Sequence, residues 1–211
     1  QDSIRPVHYT EQHGAAILVL ILALINGASF VALLSLGILV LTEERRKEVN
    51  RLFAAWCFAT AAVALIELLG RLSETHERAM ILAQVASVWP VNLALFLHFA
   101  VAATVGPSRR RMVAIIASYA LAAAMAIVYF GYASSGEAIE YAHGYSFTSP
   151  IGYEWPHAVV LTGFVVLRLG ALGLLARSAM SDTGVLGRRE LRWILAAYTT
   201  EAALAVTISI L

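Results

Sequence analysis

The sequence predicts an all-α fold: a polytopic transmembrane helix bundle with six visible spans, a seventh expected, and the N-terminus outside. Three observations predict it. Apolar residues make up 60% of the 211-residue chain and charged residues 14%, well below the ~25% charge of a soluble domain. Nearly uncharged stretches recur at 15–42, 52–70, 80–105, 112–133, 157–178 and 193–211. Each approaches or exceeds the ~20 residues that a helix needs to cross ~30 Å of hydrocarbon. Helices are the form in which such segments satisfy every backbone polar group internally. Finally, the basic residues gather beside every second gap. Arg45, Arg46, Lys47 and Arg51, then Arg109, Arg110 and Arg111, then Arg177, Arg188, Arg189 and Arg192 make eleven of the fifteen. The opposite side has Arg5, Arg71 and Arg78, and Arg168 lies inside a span. Lys and Arg mark the cytoplasmic side, so the first helix runs inward.

The elements follow in order. Residues 1–14 form an external leader, acidic and His-containing. The run after it is too long for a signal peptide and lacks a basic region before it. In the first span, Asn26, Gly27 and Ala28 are small enough for a neighbouring helix to come close. The second is entered at Asn50, an N-cap residue type. Glu67 lies near its outer end, one turn before Arg71, and either pairs with it locally or lines an outward cavity with Trp89 and Asn92. The third span carries Trp89-Pro90, which predicts a bend near mid-membrane. The fourth is Ala-rich (YALAAAMAIVYFGYA) and ends in Tyr129, Phe130 and Tyr132, an interfacial aromatic belt. The 134–156 segment is an external loop without Lys or Arg. It holds Glu137, Glu140 and Glu154 among Tyr141, Tyr145, Phe147, Tyr153 and Trp155. Its rings lie in the head-group layer, or the loop is a lid or docking surface. The fifth span carries Arg168 with Gly163, Gly170 and Gly173; the sixth opens at Trp193 and carries Tyr198, Thr199, Thr200 and Glu201. That run is still apolar at Leu211, so we expect a longer chain whose seventh span returns to the cytoplasm.

Composition narrows the chemistry. The single cysteine, Cys57, permits no intrachain disulfide and no thiolate cluster. The only lysine, Lys47, stands in a basic gap, so no lysine in the bundle can hold retinal as a Schiff base. No phosphate loop, HExxH or catalytic-triad context occurs, and we expect no enzyme and no metal. His98, in the cytoplasmic third of the third span, suits a hydrogen bond to a neighbour. A haem would need a second histidine at that depth, and His157 is at the outer face of another helix, so no cofactor is expected. Topology accounts for the basic residues, which leaves the lipid bilayer as a partner and no nucleic acid. The triple Arg109–Arg111 is a stop signal or a contact for anionic head groups.

Ionisable groups at depth cost several kcal/mol unless paired or wet (~3 on insertion scales) and are functional candidates by default. Arg168 and Glu201 fall at comparable depth on neighbouring, antiparallel spans, which predicts an intramembrane ion pair. That pair neutralises two charges and fixes helix register, or forms a polar site where Arg168 takes a ligand's acid group. The candidate ligand-binding residues are Glu67, Trp89, Asn92, Arg168, Tyr198 and Glu201.

Sparse motifs carry a resemblance. The second helix is entered through Asn50-Arg51-Leu52-Phe53 after a basic loop. The third has the Trp89-Pro90 turn and leaves through Phe96-Leu97-His98-Phe99. The sixth is approached through Gly187-Arg188-Arg189-Glu190-Leu191-Arg192-Trp193. With these, residues 20–205 resemble the N-terminal seven-transmembrane sensor domain of bacterial histidine kinases. The resemblance implies a bacterial cytoplasmic-membrane protein with an external N-terminus. It also implies a sensor for a small or lipophilic signal, relayed to a cytoplasmic kinase or cyclase module. The alternative is a non-catalytic accessory or scaffold subunit of a larger membrane complex.

Overall fold

The computed structural model describes residues 7–43, 47–135, 137–141, 144–148, 154–181, Ile194, Leu195 and Tyr198. These residues are helical apart from one β-hairpin. The order is α1 (Val7–Glu43), α2 (Glu48–Arg71), α3 (His76–Ala86), α4 (Pro90–Thr104), α5 (Arg109–Ser135), β1 (Glu137–Tyr141), β2 (Gly144–Thr148) and α6 (Glu154–Ser181). Five segments are long and apolar enough to cross a membrane: Leu20–Thr42, Glu48–Arg71, His76–Thr104, Arg109–Gly131 and Ala158–Met180. Of the sixth expected span, 193–211, only Ile194, Leu195 and Tyr198 fall within the described residues.

Local chemistry sets the boundaries. α1 starts at Val7, so helix occupies much of the expected leader. α2 starts at Glu48 with Lys47 as an extended N-cap that makes no side-chain cap bond. Asn50 therefore sits inside the first turn and is not the cap. α3 is capped by Thr75, whose Oγ1 accepts from Arg78 N at 3.4 Å. Its last turn tightens: Trp89 N bonds Ala86 O at 3.0 Å. Pro90, with no N–H to continue the ladder, then opens α4. The expected bend is thus a break over Ser87–Trp89 between two helices of one span. α5 is capped by Ser108, whose Oγ accepts from Arg111 N at 3.1 Å.

The segment expected as a loop contains structure. β1 and β2 pair antiparallel from Glu137↔Thr148 to Tyr141↔Gly144. The hairpin packs against α1, α2 and α3. We call this the hairpin end of the bundle.

The three basic gaps meet at the other end. Arg111, at the start of α5, bonds Glu48, at the start of α2, at 2.5 Å. Val49, Ala103 and Ala179 share one core cluster, which brings the end of α6 beside them. α4 is the centre: nine of its fifteen residues are buried, among them Ala94, Phe96, Phe99, Ala100, Ala102 and Ala103, and it packs against α2, α5 and α6. α1 is peripheral. Among the helices it packs mainly on α2 and leaves Leu24, Val31, Ile38 and Leu39 more than half exposed.

The close approach of α1 to α2 is not at Gly27 but one face further along. A Cβ on Gly27 would meet Leu68 Cδ2 at 3.7 Å, ordinary contact; one on Gly37 would lie 2.5 Å from Phe58 Cε1. A flat ring takes the place of the missing side chain. Gly37→Ala should therefore destabilise the bundle by ~1–3 kcal/mol through overpacking, while Gly27→Ala should be neutral or slightly stabilising. Thermal unfolding of the two variants in detergent checks this; equal midpoints would refute the contact.

Candidate functional site

The site is built around Arg168 of α6. The residue is 6% exposed and lies about 20 Å along the helix from either end at 1.5 Å per residue, too deep for its head group to reach water by snorkelling. Two rings hold the guanidinium. Its Cζ is 4.8 Å from the centroid of Phe164, one turn earlier on α6. It is 4.9 Å from the centroid of Tyr198. Each contact contributes ~0.5–2 kcal/mol, more when desolvated.

The rings extend in both directions. Toward the basic end, Tyr198 stacks on Phe96 of α4 with centroids 3.6 Å apart and planes at 21°. Phe96 meets Trp56 at 4.9 Å and Phe99 at 5.7 Å. Phe53 closes the group against Trp56 at 5.5 Å and Phe99 at 5.2 Å. Toward the hairpin end, Phe164 meets Trp89 edge-on at 5.9 Å, and Trp89 meets Tyr129 of α5 at 5.8 Å. Arg168 is thus the cation in a continuous aromatic tract that runs the length of the bundle. Its lower half follows from two pairs at helical i, i+3 spacing, Phe53/Trp56 and Phe96/Phe99; sequence reasoning used Phe53, Phe96 and Phe99 as motif positions but did not place them at the site.

The candidate residues separate into two groups. Trp89, Arg168 and Tyr198 lie on the tract. Glu67 lies on the α1–α2 seam, where its Oε2 accepts from Asn26 Nδ2 at 3.4 Å. The local Glu67–Arg71 pair does not form: Arg71 stays within electrostatic reach, but its buried Nε has no hydrogen-bond partner. Asn26 thus ties α1 to α2. Asn92 makes no such link: its backbone N–H donates to Trp89 O at 2.9 Å within the break, and its side chain makes no hydrogen bond among the described residues. Glu201, and with it the expected pair to Arg168, lies outside the described residues. His98 Nδ1 is 3.3 Å from Tyr119 Oη, an α4–α5 bond. Among the described residues no three His, Cys, Asp or Glu side chains converge.

The chain matches no family model, no curated protein and no solved structure. The resemblance to seven-helix sensor domains rests on the quoted motifs alone.

Tyr198 is 3% exposed, and among the described residues its Oη makes no hydrogen bond of normal geometry, with Arg168 the polar group beside it. A buried hydroxyl left unmet costs ~1–3 kcal/mol. In the ligand-free protein Tyr198→Phe should therefore be neutral or stabilise by up to ~1 kcal/mol. Tyr198→Leu, which removes the stack and the cation–π contact, should cost ~2 kcal/mol or more. Unfolding in detergent reads both; a Phe variant as damaged as the Leu variant would mean that the hydroxyl, not the ring, carries the residue.

Proposed function

We propose that the chain is a membrane-embedded sensor domain. It takes a small or lipophilic signal at the Arg168–Tyr198 part of the tract and relays it to a cytoplasmic signalling module. The observation that carries this reading is a guanidinium at mid-depth, held by rings on two segments rather than at a water-filled end. An intramembrane cation is expensive and by default functional. A ligand's acid or carbonyl group at Arg168 competes with its hold on Tyr198. Tyr198 is stacked on Phe96, in the same core cluster as Val49, Ala103 and Ala179, so a shift of that ring bears on packing at the basic end. The basic end is the cytoplasmic side on the positive-inside rule. On that rule the N-terminus and the hairpin lie outside; the bacterial inner membrane and a kinase or cyclase partner are what the resemblance to seven-helix sensor domains implies. No catalytic role is proposed.

A second reading, an accessory or scaffold subunit, is favoured by α1. It holds the bundle mainly through α2 and presents a long apolar face, as a helix covered by another membrane protein would.

The deciding experiment is purification of the native protein in mild detergent, followed by mass spectrometry of the intact chain and of everything that travels with it. A co-purifying small molecule and a chain, or tightly bound partner, with a kinase or cyclase module support the sensor. Stoichiometric recovery inside a larger complex, with no small molecule, sinks it in favour of the subunit. On the sensor reading, the co-purified molecule raises the unfolding temperature of wild-type protein. Arg168→Lys, which keeps the charge but loses the planar fork, should lose most of that shift.

A further inference from the structure

Three consecutive arginines open α5, and the structure gives them different work. Arg111 is 12% exposed at its side chain and bonds Glu48. Arg109 and Arg110 are exposed, make no ion pair among the described residues, and line a shallow surface groove with Val113 and Ala114. We propose that this groove is a binding site for one anionic phospholipid, with its phosphate on Arg109 and Arg110 and an acyl chain along the α5 face beneath them.

The composition of the face selects the occupant. Residues three and four apart share a helix face, so Val113 and Ala114 lie one turn below the two guanidinium groups. The same flank continues through Ile116, Ala117 and Ala120, all exposed. The shallow furrow between Arg109, Arg110, Val113 and Ala114 opens onto this exposed apolar face, which runs about 16 Å along α5 from Arg109 to Ala120 at 1.5 Å per residue. Val113 and Ile116 are 59% and 62% exposed, and the span Arg109–Gly131 places them where hydrocarbon begins. A phosphate satisfies two guanidinium groups with charge-assisted bonds. Only a lipid offers that charge at the head-group level and an apolar chain directly below it. A soluble anion gains nothing from the furrow, and an acidic peptide does not enter hydrocarbon. The charge resides on side chains rather than on the helix end, since Ser108 already caps Arg111 N.

The test uses the full chain, delipidated in mild detergent and titrated by native mass spectrometry with dioleoylphosphatidylglycerol, dioleoylphosphatidylcholine or inorganic phosphate. Wild-type protein should retain the glycerol lipid in preference to the choline lipid, and phosphate should not displace it. The double variant R109Q/R110Q should bind it about thirtyfold more weakly, at ~1 kcal/mol for each basic residue lost, with an unchanged unfolding temperature because both side chains are exposed. R111Q should keep the lipid and lose stability instead. Equal retention of the lipid by the double variant, equal binding of the two lipids, or displacement by phosphate would each overturn the proposal. The first two outcomes leave a plain stop signal and the third a simple anion contact.

Discussion

In a bilayer the surrounding lipid is as apolar as leucine, so helices gain nothing by hiding leucine from it. What holds them together is close van der Waals contact, together with the few polar bonds that lipid cannot replace. This constraint explains why α4 is the middle of the molecule. Its Ala94, Ala100, Ala102 and Ala103 are buried and let α2, α5 and α6 approach its backbone, while Phe96 and Phe99 fill the space between. It also explains α1, whose leucines and isoleucines face outward and whose contact with α2 depends on Gly37 admitting the Phe58 ring. Large apolar residues outside and small ones inside is the reverse of a soluble core.

The polar bonds are few, and each joins a different pair of segments. Asn26–Glu67 joins α1 to α2, Gln84–Ser134 joins α3 to α5, His98–Tyr119 joins α4 to α5 and Glu48–Arg111 joins α2 to α5. Arg168 joins α6 to Tyr198 through a cation–π contact. Apolar contacts alone let one smooth helix slide or rotate on another at little cost. A single polar bond per pair removes that freedom, because lipid offers the freed groups no partner. Register is thus specified by a handful of residues scattered in depth.

That economy decides how much could be read from the chain. Five of the six expected spans were legible because length and apolarity are properties of a segment, independent of what it faces; the sixth lies almost wholly outside the described residues. The break at Trp89-Pro90 was legible because a missing N–H acts locally. Which face of each helix turns inward was not, since lipid and core are equally apolar and periodicity carries no signal. Hence spacing offered Glu67 a local pair with Arg71 or a place in a cavity with Trp89 and Asn92, while the fold gives it to Asn26, forty-one residues away. Hence also Gly37, which admits the Phe58 ring, did not stand out from the small residues around Gly27. Trp89, Arg168 and Tyr198 were picked out one at a time for polarity or ring chemistry, but the tract that joins them needs the mutual rotation of five segments. The hairpin was missed for another reason. The alternation in GYSFT is a strand signal, but it was subordinated to the membrane pattern on either side.

The tract and the Glu48–Arg111 bond meet at the basic end, and their proximity bears on how the two halves of the bundle communicate. Phe53 and Phe99 end the tract, and Phe99 shares a core cluster with Val49, the neighbour of Glu48. Rings in edge or stacked contact have a few discrete arrangements and no smooth path between them, whereas aliphatic contacts adjust gradually. A change at Arg168 therefore reaches Phe96 through Tyr198 as a choice between packings. Phe96 sits fully buried on α4, packed between α2 and α6. On the sensor reading, the shift is taken up where α2 and α5 begin, at a bond between a half-exposed carboxylate and a largely buried guanidinium. That bond is the least buried of the constraints at this end, and it stands beside two arginines already committed to the membrane surface.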